Sequence, residues 1–157
     1  MLVLRELGRP AGSGCALPGL SGAGRRRKGI TAELDACTFL RGFAKDGVRV
    51  QATRTYHQAR GGTEAADIDH SIFGYHIEVT VDRKMKIGSQ YLTEKLDRAR
   101  ADAEDLVECT AVVLWHPPQY SWRMTYRDFN GCVVTASATD WMLSHGYTSL
   151  KETEHAI

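Results

Sequence analysis

Glu78 stands in the middle of YHIEVTVDRK (residues 75–84), a stretch whose apolar positions alternate as in a half-buried strand. A carboxylate in such a strand is costly unless a cation, a metal or a hydrogen-bond network compensates it. Upstream, ADIDHSIF reads as a short strand carrying Asp67, and a turn at Gly74 joins it to the Glu78 strand. Cross-strand pairing would bring the two carboxylates together. Magnesium takes a few hard oxygen ligands and otherwise keeps its water, so paired carboxylates at a sheet edge suit it. Thr80, Asp82 and Lys84 lie at even offsets and share Glu78's face. Asp69 offers a second acid in the Asp67 strand, where it reads as a neighbouring loop acid.

Basic residues surround these acids in sequence. Arg25, Arg26, Arg27 and Lys28 form one dense run, the shape of a solvated segment or of a phosphate-contacting arm. Arg54, Arg60, Gly61 and Gly62 read as a mobile phosphate-contacting loop. His57, His70 and His76 are close in sequence but lack paired-ligand spacing, and scattered surface histidines are the expectation. The four cysteines, Cys15, Cys37, Cys109 and Cys132, show no CxxC pairing and read as reduced thiols. There is no Ser-His-Asp signature, no P-loop and no dinucleotide fingerprint.

The elements that must position these groups follow from periodicity. In GITAELDACTFLRGFAKDG, Ile30, Leu34, Cys37, Leu40 and Ala44 recur at helical spacing, with Thr31 as N-cap and Gly47 beyond the end. VRVQATRTY alternates as a strand. A long helix over residues 89–107 has Ser89 as N-cap and one face formed by Leu92, Leu96, Ala99, Ala103 and Leu106, with Glu94 and Arg98 paired on another. TAVVLW is a fully apolar run suited to a central strand. SWRMTYRDF and CVVTA form a hairpin around Asn130-Gly131, and Thr139 or Asp140 caps a last helix through Leu143. Trp115, Trp122, Tyr126 and Trp141 read as core or dimer-face residues. The expected order is α-β-β-β-α-β-β-β-α, with one crossover and hence a mixed sheet.

At 157 residues, 43% hydrophobic, 25% charged and with a net charge of +1, the chain suits one domain with a core of its own. No apolar run approaches the roughly 20 residues that cross a bilayer, and a cytoplasmic location is expected. Residues 1–24 are rich in Gly, Ala and Pro and read as a disordered extension. Residues 25–145 would form the domain and 146–157 a loose tail.

The segments RRRKGITAELDACTFLR and ARGGTEAADIDHSIFGYHIEVTVDRK, followed by a helix and a strand, resemble the PD-(D/E)xK nucleases. More narrowly they resemble the archaeal-type Holliday-junction resolvases and their relatives in phages and prophages. The resemblance covers residues 25–129. The family's basic lead-in falls on Arg27, Lys28 and Gly29, its helix glutamate on Glu33, its aspartate on Asp67 and its strand glutamate on Glu78. The motif lysine falls on Thr80, and Ala66 replaces the proline before the aspartate.

The resemblance implies an α/β fold, a restriction-endonuclease-like mixed sheet flanked by helices. It implies Mg²⁺-dependent (or Mn²⁺-dependent) hydrolysis of DNA phosphodiesters, with four-way junctions as substrate and a homodimer as the working form. Asp67, Glu78, the Val79 carbonyl and Glu33 would hold metal. Glu33, Asp67, Glu78, Thr80 and Lys84 would make up the catalytic set, with Arg25, Arg26, Arg27, Lys28, Arg54 and Arg60 on DNA. Without the resemblance, Glu33 is equally a helix-terminal acid favoured by the macrodipole.

Thr80 donates a hydrogen bond but carries no charge. Losing a positioned cation costs on the order of 10²–10³ in rate. Three outcomes stay open. Lys84 reaches back over roughly 13 Å of strand; a basic residue from elsewhere, such as Arg60 or Lys95, takes the place; or the protein binds without cutting.

Overall fold

The computed structural model describes residues 22–55, 67–80, 87–104, 109–117 and 121–153. The chain is a mixed α/β protein. Its centre is a four-stranded sheet in the order β5-β6-β7-β8, formed by β5 (Tyr75–Thr80), β6 (Thr110–Trp115), β7 (Arg123–Arg127) and β8 (Val133–Ser137). β5 and β6 are parallel, joined by the crossover helix α2 (Gln90–Glu104), and the remaining pairings are antiparallel. This is the mixed sheet with one crossover that the apolar run in β6 predicts.

The two faces of this sheet bury different helices. Ile77, Val79, Val112, Leu114 and Met124 pack with α1 (Gly22–Leu40) and α3 (Ala138–Ser144) in one core. Ala111, Val113 and Trp115 pack under Leu92, Leu96, Ala99 and Ala103 of α2 in a second. The register sets Glu78 beside Val113 and Thr80 beside Trp115, so both share the α2 face with His76.

The element order differs from the expectation at four places. First, α1 begins at Gly22 rather than at Thr31 and ends at Leu40. Its buried face is Ala32, Ala36, Cys37 and Leu40, and Leu34, about 200° of helix rotation from Ala32, is 49% exposed. Small residues on that face let the helix approach the sheet closely.

Second, Ala44 and Gly47 do not finish the helix but build a hairpin. β1 (Phe43–Lys45) and β2 (Val48–Arg49) flank Asp46 and Gly47, whose φ values are 51° and 76°. Two positive φ values in a two-residue loop define a type I′ turn, for which Asp-Gly is a preferred pair. Gly47→Ala is expected to cost about 1 kcal/mol, because a Cβ strains that backbone. Urea titration checks this, and an unchanged midpoint would show the turn is not under that constraint.

Third, VRVQATRTY splits into β2 and β3 (Ala52–Arg54), and β3 pairs antiparallel with β4 (Ile68–His70). Fourth, the tail expected to be loose from residue 146 instead adds β9 (Thr148–Ser149) to the free side of β1 and continues as α4 (Leu150–Thr153). The expected extension lies almost wholly outside the described residues, which begin at 22.

Smaller features also settle. Ser137, not Thr139 or Asp140, caps α3, its Oγ accepting from the Asp140 N–H. Glu94 accepts from Gln90 Nε2, while the ion pair along α2 joins Arg100 to Glu104. Trp115 and Trp141 are core residues, and Cys37, Cys109 and Cys132 are free thiols. Among the described residues, no helix is long and apolar enough to cross a membrane.

Candidate active site

β4 turns back through residues 71–74, where Gly74 takes φ 83°, and leads into β5. Asp67, at the start of β4, thereby comes level with the far end of β5: the Val79 N–H donates to its Oδ2 at 2.9 Å. β5 is an edge strand of the four-stranded sheet, and this N–H points away from β6. In an extended strand the carbonyl of the same residue points the same way, so the Val79 C=O also faces Asp67's side.

Glu78 is the neighbour of this arrangement. Its side chain is 18% exposed and its carboxyl is pushed up to about 8, by burial first, then by the charge of Asp67 and a hydrogen bond with it. Lys95 of α2 acts against this, its Nζ lying 3.9 Å from Glu78 Oε1. Asp102, also on α2, adds to the rise. Burial and a neighbouring carboxylate both disfavour the charged form of Glu78.

Lys28, Gly29, Ala32, Glu33, Asp67, Glu78, Val79, Thr80 and Lys95 together line a cleft of about 360 Å³. Two other hollows of similar volume, about 330 and 370 Å³, are each lined by a single carboxylate, Asp128 and Asp35 respectively. Among these three, the paired acids set the first cleft apart.

The expected residues fall out as follows. Asp67, Glu78, Val79, Thr80 and Glu33 meet in this cleft, with Lys28 on its wall. Glu33 is ion-paired with Arg54, so this guanidinium neutralises a site acid where a phosphate contact was expected. Asp69 is exposed on β4 while Asp67 is buried. Lys84 and Arg60 lie outside the described residues, as do the side chains of Arg25, Arg26 and Arg27, whose backbone belongs to α1. His57 lies outside them too. His76, expected at the surface, is buried on the Glu78 face, and neither ring nitrogen has a hydrogen-bond partner among the described residues. Burial lowers its pKa, which keeps it neutral.

A divalent metal fits part of this donor set. Asp67 and Glu78 are adjacent carboxylates of one charge, with a backbone carbonyl beside them. Among the described residues no group of three or more His, Cys, Asp or Glu side chains is placed to hold a metal. The two carboxylates and the carbonyl are thus the donors that this cleft offers among the described residues.

Among solved structures, the chain is similar to a Holliday junction resolvase of the archaeal hyperthermophile Archaeoglobus fulgidus, at 18% identity. The similarity covers 80% of this chain and 94% of that one, with a TM-score of 0.41. The likeness is one of broad outline and decides nothing about chemistry. No protein-family model matches the chain, and no curated protein matches its sequence.

Proposed function

We propose that the protein is a divalent-metal-dependent DNA endonuclease of the Holliday-junction-resolvase type, working on four-way junctions as a homodimer. The observation that carries the reading is the confrontation of Asp67 and Glu78 at the edge of β5, with Glu78's carboxyl raised to about 8 by burial and by Asp67's charge. The order of motifs in the sequence, from the basic lead-in to the Glu78 strand, supplies the substrate class. Mg²⁺, or Mn²⁺ in its place, would be held by Asp67, Glu78 and the Val79 carbonyl. When bound there it supplies Lewis-acid stabilisation of phosphoryl charge and a nucleophile at neutral pH.

The chain's own residues do the rest. Asp67 is fixed by the Val79 N–H, which sets its orientation before any ligand enters. Arg54 holds Glu33 at the cleft wall and offsets its charge. Lys28, exposed at the rim, meets the DNA backbone together with the basic run before it. Phosphate contacts of this kind make binding steeply salt-dependent. Twofold symmetry in a homodimer presents two sites to the two strands that a junction resolution must cut.

One observation favours a second reading, in which the protein binds junctions without cutting them. Thr80 occupies the lysine position and is 6% exposed, so β5 itself contributes no cation to the cleft. The test is cleavage of a labelled four-way junction with Mg²⁺ and with Mn²⁺, comparing wild type with Asp67→Asn. The endonuclease reading expects metal-dependent product from wild type and at least about a 10³-fold slower reaction from the variant. Binding without product from wild type would establish the second reading, and neither binding nor product would sink both.

A further inference from the structure

We propose that Lys95, carried on α2, supplies the positive charge that Thr80 does not, and is a catalytic residue of the cleft. The inference rests on the endonuclease reading of Asp67 and Glu78. Thr80 and Glu78 face α2, and α2 is seated on that face by Leu92, Leu96, Ala99 and Ala103. Lys95 follows from this seating: it directly precedes Leu96 and lies one helical turn beyond Leu92 and Tyr91, so its stem runs down onto the sheet. Its Nζ reaches 3.9 Å from Glu78 Oε1, and its side chain is 25% exposed, so most of the stem is covered and the head is held in the cleft.

The other cations of the site among the described residues are accounted for. Arg54 is committed to Glu33, and Lys28 is exposed at the rim on the opposite helix. A lysine on β5 and a lysine on the helix crossing β5 approach the same point from two directions. The ammonium needs to be near Glu78 with its protons aimed at the phosphate, whatever element carries it.

The role is electrostatic. In hydrolysis the water oxygen forms a bond to phosphorus and gives up a proton to the medium, the bond to the leaving ester oxygen breaks, and that oxygen takes up a proton from the medium. Lys95 takes no part in the proton transfers and donates hydrogen bonds to the phosphoryl oxygens as their charge grows. A preorganised cation of this kind is worth on the order of 10²–10³ in rate.

The experiment is single-turnover cleavage of a four-way junction with Mg²⁺ by wild type, Lys95→Ala, Lys95→Met, Thr80→Lys and the double variant Thr80→Lys/Lys95→Ala. Junction binding is measured in parallel with Ca²⁺ in place of Mg²⁺. Lys95→Met keeps the apolar stem and guards against a loss caused by packing. Both single Lys95 variants are expected to lose on the order of 10²–10³ in rate while binding within about threefold of wild type, and the double variant to regain most of the loss. Lys95 variants that cut as fast as wild type would overturn the proposal and leave the site reading intact. Cleavage by Thr80→Lys but not by wild type would also overturn it, since Lys95 would then be no substitute. A loss of junction binding equal to the loss of cleavage would make Lys95 a DNA-holding residue and overturn its catalytic role. No cleavage by any variant would remove the endonuclease reading itself, and this inference with it.

Discussion

Glu78→Gln is expected to abolish metal-dependent cleavage and, in metal-free solution, to leave the fold more stable than wild type above neutral pH. The loss of activity, at least about 10³-fold, follows from replacing an anionic ligand with a neutral amide. The gain in stability follows from the proton that the folded site holds. Glu78 has an ordinary value of 4.5 and is pushed up to about 8 in the fold. Below about pH 4.5 it is protonated in both states, and above about pH 8 it is ionised in both. Between these limits the folded chain binds a proton that the unfolded chain has released. Stability therefore falls as pH rises through that window, by at most about 1.4 kcal/mol per pH unit.

Glutamine has no such slope. His70 and His76, both lowered by burial, contribute the opposite slope below about pH 6.5 in both proteins, so the difference between them isolates Glu78. Urea unfolding at pH 5, 7 and 9 without metal measures it. The gap in favour of the variant should open from pH 5 upwards and level off near pH 8. A constant gap would mean that burial and Asp67 do not raise Glu78's carboxyl in the fold.

Trp115→Ala is expected to destabilise the protein by about 3–5 kcal/mol, the range for deleting a large buried aromatic. Trp115 is 1% exposed, packs in the core under α2, and donates from Nε1 to Thr125 Oγ1 at 2.9 Å. Thr125 in turn bonds Thr135 at 2.8 Å, so one polar chain runs through β6, β7 and β8. The deletion leaves a cavity and removes one bond of that chain. A domain of this size should lose roughly 10 °C or more in melting temperature. Trp115→Phe keeps most of the volume and should cost clearly less. Equal effects from the two substitutions would assign the role to the hydrogen bond rather than to packing.

The meeting of the two carboxylates is legible in the sequence from the glycine turn that brings the chain back, but not its manner: β4 pairs with β3 rather than with β5, and Asp67 reaches β5 through its side chain on the Val79 N–H. The central sheet was legible too, since TAVVLW can be little other than a doubly covered strand. The misreadings had physical causes. Leu34 drew the helical face towards itself, whereas Ala32 and Ala36 set the face by allowing close packing. The apolar period runs through Ala44 and sets Gly47 beyond a helix end, yet the turn chemistry of Asp46-Gly47 overrides that period. His76 and Lys95 depend on how α2 lies across β5, a tertiary relation that no local pattern encodes. For Lys95 the sequence names a candidate for the missing cation, but not its reach to Glu78.

The Val79 N–H that holds Asp67 has a bearing on solubility as well as on chemistry. β5 borders the central sheet, and a border strand with free donors and acceptors is a template for pairing with another chain. Here a carboxylate occupies the donor at Val79 and sets negative charge along that border. Like-charged borders repel one another, so this carboxylate also discourages strands of neighbouring molecules from docking. Filling the site with metal would mute that repulsion, and stripping Asp67 would leave the strand bare.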